Sequence, residues 1–391
     1  MTNLALTHAT LYTPEDEIQD GVLLVEGGKI LACGPRAQVP VPADAERLDL
    51  REKRVFPGLI DVHIHGLLGH SAMGEGLAQV IQTLPRFGVT GFLATTVTLS
   101  MEEITRGLSL MREVLAAPPF GSTCLGIHLE GPHLSPKRPG MANPAWFHPL
   151  SAEAFDRLQE LAGGHIRMIT FAPEEGQALH VIPHLRSRAV VPVIGHSDAT
   201  YEQVAQAVRL GLNHATHTYN AMRPMHHRDP GVVGAVLAFP EITAELIADG
   251  HHVHPGAMRV LLNAKGVEGV CLISDAAPFA ALPAGVAHWG EYEIVLDGET
   301  CRLPDGTLAG AYWMMDRGFR ILIEELGLTP GQAAICASRV PARTLGLEGR
   351  KGRLAPGYDA DISVMDAAFR PWMTLVGGRI AWKAERADEA G

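Results

Sequence analysis

Two histidines one residue apart, His63 and His65, close a run that reads Pro57-Gly-Leu-Ile-Asp-Val-His-Ile-His-Gly66. In an extended strand alternate side chains leave the same face, so both imidazoles are delivered to one point while Val62 and Ile64 pack the other way. Such a pair either ligates a divalent metal or makes ordinary hydrogen bonds at a strand end, and the motif by itself leaves both readings open. The same texture recurs further along the chain. Apolar runs end in Glu130, in His196, in His217, in Asp249 and His251, and in Asp275. A single histidine of this kind is most simply a structural imidazole. A series of them at successive strand ends is the signature of a divalent-metal hydrolase site collected on one rim of a barrel.

The elements that must position these groups can be counted. Apolar strand-like runs occupy 59–65, 91–95, 124–129, 166–171, 191–194, 214–216, 243–247 and 270–274. Helical patterns separate most of them, for example 152–161 behind Ser151 as N-cap, and 201–210. Strands alternating with helices over this span predict a (β/α)8 TIM barrel. A doubly wound open sheet is the alternative, but no Gly-x-Gly-x-x-Gly turn follows the first strand. After the eighth run, residues 276–311 are too long for a simple loop, and 291–296 with 300–303 around Asp297-Gly298 predict a hairpin within them. Helices are expected at 312–325 and, behind Thr329-Pro330, at 331–338. The two ends of the chain share a different texture: short strands at 5–11, 21–26 and 29–33 around Gly27-Gly28, and at 361–365, 372–376 and 379–382 around Gly377-Gly378. They are expected to join, so that residues 1–54 and 350–391 form a small β domain beside a catalytic barrel spanning 55–349. A short polar tail ends the chain.

Composition narrows the function classes. With 391 residues, 47% of them hydrophobic, the chain can bury a large core, and 19% charged residues is ordinary for a soluble enzyme. A net charge of −11 without a basic stripe argues against nucleic acid or an anionic membrane as the main partner. Five cysteines, an odd number, scattered and without a Cys-x-x-Cys pair, suggest neither a disulfide framework nor a thiolate zinc site and point to the reducing cytoplasm. Residues 1–12 lack the basic start and long apolar stretch of a secretory leader, and no run approaches the ~20 apolar residues of a membrane span.

Several words of the sequence now stand together: Pro57–Gly66 as quoted, His128-Leu-Glu-Gly-Pro132, Gly195-His196, Thr216-His-Thr-Tyr-Asn-Ala-Met222, Ala248-Asp-Gly-His251, Ile273-Ser-Asp-Ala276 and Leu308-Ala-Gly310. On these the chain resembles the amidohydrolase superfamily and, within it, the N-acetylglucosamine-6-phosphate deacetylases. The resemblance runs almost end to end. It implies a barrel of the metal-dependent hydrolase type with a small β-sandwich domain built from both termini, in a homodimeric cytoplasmic enzyme. It also implies a metal site of Glu130, His196 and His217, and a carboxylate with two imidazoles suits Zn²⁺, or Fe²⁺, with a position left open for water. The strand-four lysine that bridges two metals in many members has no counterpart, because no lysine lies between Lys137 and Lys265. Retention of His63 and His65 leaves one ion or two as the expectation.

By the same resemblance Asp275 takes a proton from the attacking water and passes it to the departing amine. Asn220, Ala221, Arg228 and His251 would cradle an amino sugar phosphate. The local run Arg223, His226, His227 and Arg228 is basic on an acidic chain, which fits an anionic substrate independently. Arg228 is also expected near the subunit interface, where it would serve the neighbouring copy. Three positions depart from the family's pattern: Ala142 stands where a histidine contacts the substrate, Ala311 where serine usually follows Leu-Ala-Gly, and His133 where an aromatic or apolar residue is common. The metal chemistry is intact and the sugar pocket is altered. The competing enzyme reading is a related amidohydrolase acting on a different N-acyl amino sugar, an N-acyl amino acid or a cyclic amide. A silent sugar-phosphate sensor would be expected to have lost Asp275 or a metal ligand, and none is lost.

Overall fold

The computed structural model describes residues 4–13, 15–289 and 292–385. The expected strand start at Glu291 and the polar tail beyond 385 lie outside the described residues.

At the N-terminus five strands form first: β1 (Leu4–Tyr12), β2 (Glu17–Glu26), β3 (Lys29–Pro35), β4 (Glu46–Asp49) and β5 (Arg54–Pro57). The apolar runs that follow become the parallel strands β6 (Leu59–Ile64), β7 (Val89–Thr95), β8 (Thr123–Glu130), β9 (Ile166–Phe171), β10 (Val191–Ile194), β11 (His214–Ala215), β12 (Thr243–Ile247) and β13 (Val270–Ile273). They pair in sequence order as one eight-stranded sheet. Burial of all but their starts on both faces explains why they read as continuous apolar runs. The barrel closes just beyond the named strands, where Ile64 bridges Ala276 in parallel, Asp275 N–H donates to the His63 carbonyl at 2.9 Å, and Ser274 Oγ donates to the Asp61 carboxylate at 2.5 Å. This seam brings the first strand's histidines beside the last strand's aspartate.

One expectation is corrected at β6. Strict alternation put Val62 and Ile64 on a shared face, but the pairing with β7 slips between Asp61 and Ile64, and the two side chains join different apolar clusters. The helices return the chain along the outside. In α1 (Met101–Ala116) Ser100 and Glu103 form a reciprocal capping box, and in α2 (Ala152–Leu161) Ser151 accepts from Ala154 N–H as its sequence position predicted. Each helix buries a stripe against the strands, Ile104, Leu108 and Met111 in the former and Phe155 and Leu158 in the latter. Burying each such side chain stabilises by roughly 1.5–3 kcal/mol. The helix expected from residue 312 starts later, at Met315, because Ala311 is still pairing with Ala276 and Tyr312 O–H is tied to the Leu282 carbonyl. The one expected at 331–338 begins at Pro330 behind a Thr329–Gln332 capping box and widens into a π-turn at Ile335–Arg339.

Between β13 and that helix the chain makes a three-stranded antiparallel insert, β14 (Gly285–Trp289), β15 (Tyr292–Leu296) and β16 (Cys301–Arg302). The hairpin around Asp297-Gly298 is as expected, while β14 was not foreseen. The C-terminal strands β17 (Ile362–Met365), β18 (Pro371–Val376) and β19 (Arg379–Lys383) join β1–β5 in a separate, mostly antiparallel sheet, linked through the β17–β5 pair. The two Gly-Gly turns meet there. A Cβ on Gly28 would lie 3.1 Å from the Gly377 carbonyl oxygen, and one on Gly378 would lie 3.2 Å from Gly28 Cα, so this close backbone approach needs glycine on both sides.

Candidate metal centre and active-site cavity

The C-terminal ends of the strands converge on a cavity of about 310 Å³. His65, Glu130, His196, His217 and Asp275 lie on its wall, together with Asn220 and Ala221. His63 is fully buried beside them. A larger cleft of about 640 Å³ sits at the opposite end of the barrel, among strand starts such as Val191, His214 and Thr243. Chemistry, not size, selects the first.

The strand ends deliver these residues by leaving regular geometry. His196, His217 and Asp275 all have positive φ, at 45°, 22° and 52°, a conformation that L-residues rarely adopt. Each such position costs on the order of 1–3 kcal/mol and persists only where its surroundings over-determine it. The result is a tight group: His217 Nε2 lies 3.1 Å from Glu130 Oε1 and 3.1 Å from His196 Nε2. His196 Nδ1 is 3.0 Å from the Arg138 carbonyl, which can only accept, so the proton sits on Nδ1 and Nε2 carries a lone pair. Two imidazole nitrogens and a carboxylate oxygen facing one another in this way fit a cation between them.

The second face of the cavity holds the His-x-His pair. His65 Nε2 is 3.1 Å from Asp275 Oδ1 and 3.3 Å from Glu130 Oε2, and His63 Nε2 is 3.4 Å from Asp275 Oδ1. Both imidazoles reach the same point, although the slip in β6 breaks the strict alternation from which this was expected and His65 lies just past the strand's end. His63 Nε2 is buried and makes no hydrogen bond. His63, His65 and Asp275 form a second group able to hold an ion beside Glu130, His196 and His217.

Electrostatics keep the carboxylates charged. Burial pushes Glu130 upward, but the imidazoles of His63, His196 and His217 overturn this and hold it well below the ordinary range. Asp275 is likewise raised by burial and brought below its usual value by His63 and His65, so it stands ionised and able to accept a proton. Burial disfavours a charged His65, yet Asp275 and Glu130 raise it to about 9. Asp61, sealed in the closing seam, is pushed up by burial to about 6 despite its bonds from Ser274.

Two of the expected binding residues stand elsewhere. Arg228 is exposed on its loop with its guanidinium 2.8 Å from His227 Nε2, and it does not line this chain's cavity. His251 points toward Glu299, at 3.5 Å, while its neighbour His252 lines the cavity, held by Asp249 at 2.6 Å. Three contributors escaped the sequence reading. His252 directly follows the word Ala248-Asp-Gly-His251, and nothing in type or spacing sets it apart. Trp289, whose ring centroid lies 6.0 Å from that of His65, comes from the unforeseen strand β14. Glu245 is fully buried on β12, and its only signal was one carboxylate inside the apolar run Thr243–Ile247. The remaining cavity wall is mostly apolar, with Val97, Leu134, Met141, Ala142 and Leu308 beside Thr98 and Thr307.

Comparison with known proteins decides the family. The model of the amidohydrolase family matches residues 54–381. The chain belongs to the amidohydrolase family. An N-acetylglucosamine-6-phosphate deacetylase of Bacillus subtilis (strain 168) is 36% identical over 99% of both chains. An N-acetylgalactosamine-6-phosphate deacetylase of Escherichia coli O157:H7 is 34% identical over 95% of this chain and 97% of its own. Among solved structures, the N-acetylglucosamine-6-phosphate deacetylase of Pasteurella multocida superposes with a TM-score of 0.91 at 29% identity, over 98% of this chain and 100% of the other. A mutant of the Mycobacterium smegmatis enzyme, in complex with N-acetyl-D-glucosamine-6-phosphate, gives 0.90 at 31% identity over 97% and 100%. Within the amidohydrolase family these relatives place the chain on the deacetylase branch.

Proposed function

We propose that this chain hydrolyses the acetamide of N-acetylglucosamine 6-phosphate, releasing acetate and glucosamine 6-phosphate, with a divalent metal as cofactor. The observation that carries the reading is the convergence of Glu130, His196 and His217 opposite Asp275 across one cavity. Its near-full-length relatives are deacetylases of amino sugar phosphates, which supports the same substrate class.

Glu130, His196 and His217 would hold the ion, and His63 and His65 with Asp275 would take a second where two are bound. Zn²⁺ suits this donor set best, with Fe²⁺ as the alternative. When bound, such an ion supplies Lewis acidity, making water nucleophilic near neutral pH and polarising an amide carbonyl. The chain's own groups do the rest. Asp275, ionised and facing the cavity, accepts the proton of the attacking water and delivers it to the departing amine nitrogen. His65, 3.1 Å from it, holds the carboxylate in place. Asn220 and the Ala221 backbone, with His252 and Trp289, orient the sugar and exclude water from the reacting bond.

We assign Arg228 to the phosphate of a substrate bound in a second copy of the chain, in a homodimer, since its side chain is exposed and off this chain's cavity. His251, also off the wall, would act from its margin. Among the described residues no helix is long and apolar enough to cross a membrane. The free cysteines are the ground on which we place the enzyme in the reducing cytoplasm. We also divide the chain into residues 1–54 with 350–391 as a small β unit and 55–349 as the catalytic barrel.

Ala142 on the cavity wall and the relative that acts on N-acetylgalactosamine 6-phosphate favour one second reading, a different N-acyl amino sugar phosphate. Amine release from N-acetylglucosamine 6-phosphate, its unphosphorylated form and N-acetylgalactosamine 6-phosphate, with bound metal counted in the same preparation, separates the two. Turnover of the first, lost on chelation, is expected. No metal-dependent turnover of any of the three would overturn the proposal.

A further inference from the structure

Glu245 is a carboxylate with no access to solvent, placed beneath the metal centre rather than in it. A buried charge persists only when hydrogen bonds satisfy it, and here four donors do so. His214 Nε2 lies 3.0 Å from Oε1. Oε2 receives His63 Nδ1 at 3.0 Å, Thr216 Oγ1 at 2.9 Å and His217 N–H at 3.1 Å. The word His214-Ala-Thr-His217 thus supplies three of these four donors, and the fourth comes from the His-x-His strand.

The direction of the His63 contact has a consequence for the cavity. An ionised carboxylate can only accept, so the proton on the facing side of the ring belongs to Nδ1. In the neutral ring that an ion requires, Nε2, the opposite nitrogen, then carries the lone pair. That atom is buried, makes no hydrogen bond, and lies 3.4 Å from Asp275 Oδ1 and 3.5 Å from Glu130 Oε1. Without Glu245 only Thr216 Oγ1, 2.9 Å from Nδ1 and able to donate as well as accept, would face that side, and the ring would be free to carry its proton on Nε2, where it would donate to those carboxylates and occupy the space an ion needs. A carboxylate behind a ligating histidine fixes its tautomer and typically changes metal affinity 10–100-fold.

We infer that Glu245 is the positioning residue of this centre: it sets the proton on His63 Nδ1, and by holding the His217 backbone N–H as well it ties the ion-facing groups of β6 and β11 to one anchor on β12. The inference rests on the metal-dependent reading above, so its test measures ion binding in the absence of substrate. The full-length protein is stripped of metal and titrated with Zn²⁺ by competition against a chromophoric chelator, as wild type, Glu245→Gln and Thr216→Val.

Glu245→Gln is isosteric and is expected to weaken Zn²⁺ binding by at least tenfold while the melting midpoint of the metal-free protein stays within a few degrees. Thr216→Val, which leaves the carboxylate in place, is expected to change affinity by no more than about threefold. Wild-type affinity in Glu245→Gln overturns the inference and leaves the functional reading standing; failure of the wild type to bind Zn²⁺ overturns both. Should Glu245→Gln fail to fold, the ¹⁵N spectrum of the Zn²⁺-loaded wild type decides. A proton on His63 Nδ1, assigned by its loss in His63→Gln, supports the role, and an unprotonated Nδ1 refutes it.

Discussion

Two of the charge clusters among the described residues are built on opposite plans. In the terminal sheet Asp359 is paired with Lys29 at 2.6 Å, with Arg350 at 2.8 Å and with Lys351 at 3.0 Å. Lys351 also pairs with Asp361, whose other oxygen accepts the Gly377 N–H at 2.8 Å. Every carboxylate there is covered by full cations. At the barrel rim the carboxylates face imidazoles, and several nitrogens, His63 Nε2 and His217 Nδ1 among them, have no hydrogen-bond partner. A saturated cluster has no bonds left to offer and so acts as a clasp between the two ends of the chain. An unsaturated one is organised for something else to bind.

The comparison breaks most visibly at Asp275. Asp275→Asn keeps the shape and removes the proton acceptor, so kcat is expected to fall on the order of 10²–10⁴-fold. Metal analysis of the same sample should find the ion retained, and a variant that still turns over would end the proton-transfer role. Chelation strikes the same cluster from the other side. Activity should vanish and return with Zn²⁺, and the melting midpoint should drop by the equivalent of about 3 kcal/mol for an ion present at a hundred or more times its Kd. Equal midpoints with and without metal would mean that the rim is saturated after all.

The clasp is expected to answer differently. Burial raises Asp359, but Lys29, Arg350 and Lys351 bring it down to about 2. In an unfolded chain the group titrates near ~3.9, so its contribution is fully present above that pH and is lost as pH falls toward 2. Asp359→Asn should remove about 2 kcal/mol in urea melts at pH 7, with much less effect at pH 2.5, and leave kcat unchanged. A loss of activity without loss of stability would contradict the division between the clusters.

His133, buried next to the cavity-lining Leu134, supplies an intermediate case. Burial pushes its imidazole down to about 4 even though the His148 carbonyl accepts its Nδ1 proton at 2.8 Å. Because the unfolded side chain takes up its proton near ~6.5, stability is full above that value and declines as pH falls from there toward 4. His133→Phe, of the kind more usual at this position, should flatten that decline. An unchanged pH–stability curve would show that this ring is not the source. The smallest effect is expected at Ala142. Ala142→His adds one polar contact beside the apolar Leu134 and Met141, and a gain of about 1 kcal/mol corresponds to roughly fivefold in kcat/KM for N-acetylglucosamine 6-phosphate. No gain there, or a gain only on the galactosamine epimer, would favour the second reading.

Much of this was readable in one dimension. Period and punctuation are local properties, so the eight barrel strands, helix α2 with its Ser151 cap and the pairing of both termini in one sheet follow from residues a few positions apart. His63, His65, Glu130, His196, His217 and Asp275 could be found because each ends its own apolar run, and strand ends of a barrel share a rim. Long-range relations were decided only in three dimensions. The seam between β6 and β13 sets His63 against Asp275, the slip in β6 separates Val62 from Ile64, and β14 brings Trp289 over the rim. The same limit hid Glu245, whose partners lie 28 to 182 positions away along the chain, and exchanged His251 for His252 at the cavity wall. Which residues could do chemistry is a matter of type and spacing. Which of them face one another depends on barrel closure and on backbone strain at the strand ends, and those are properties of the folded whole.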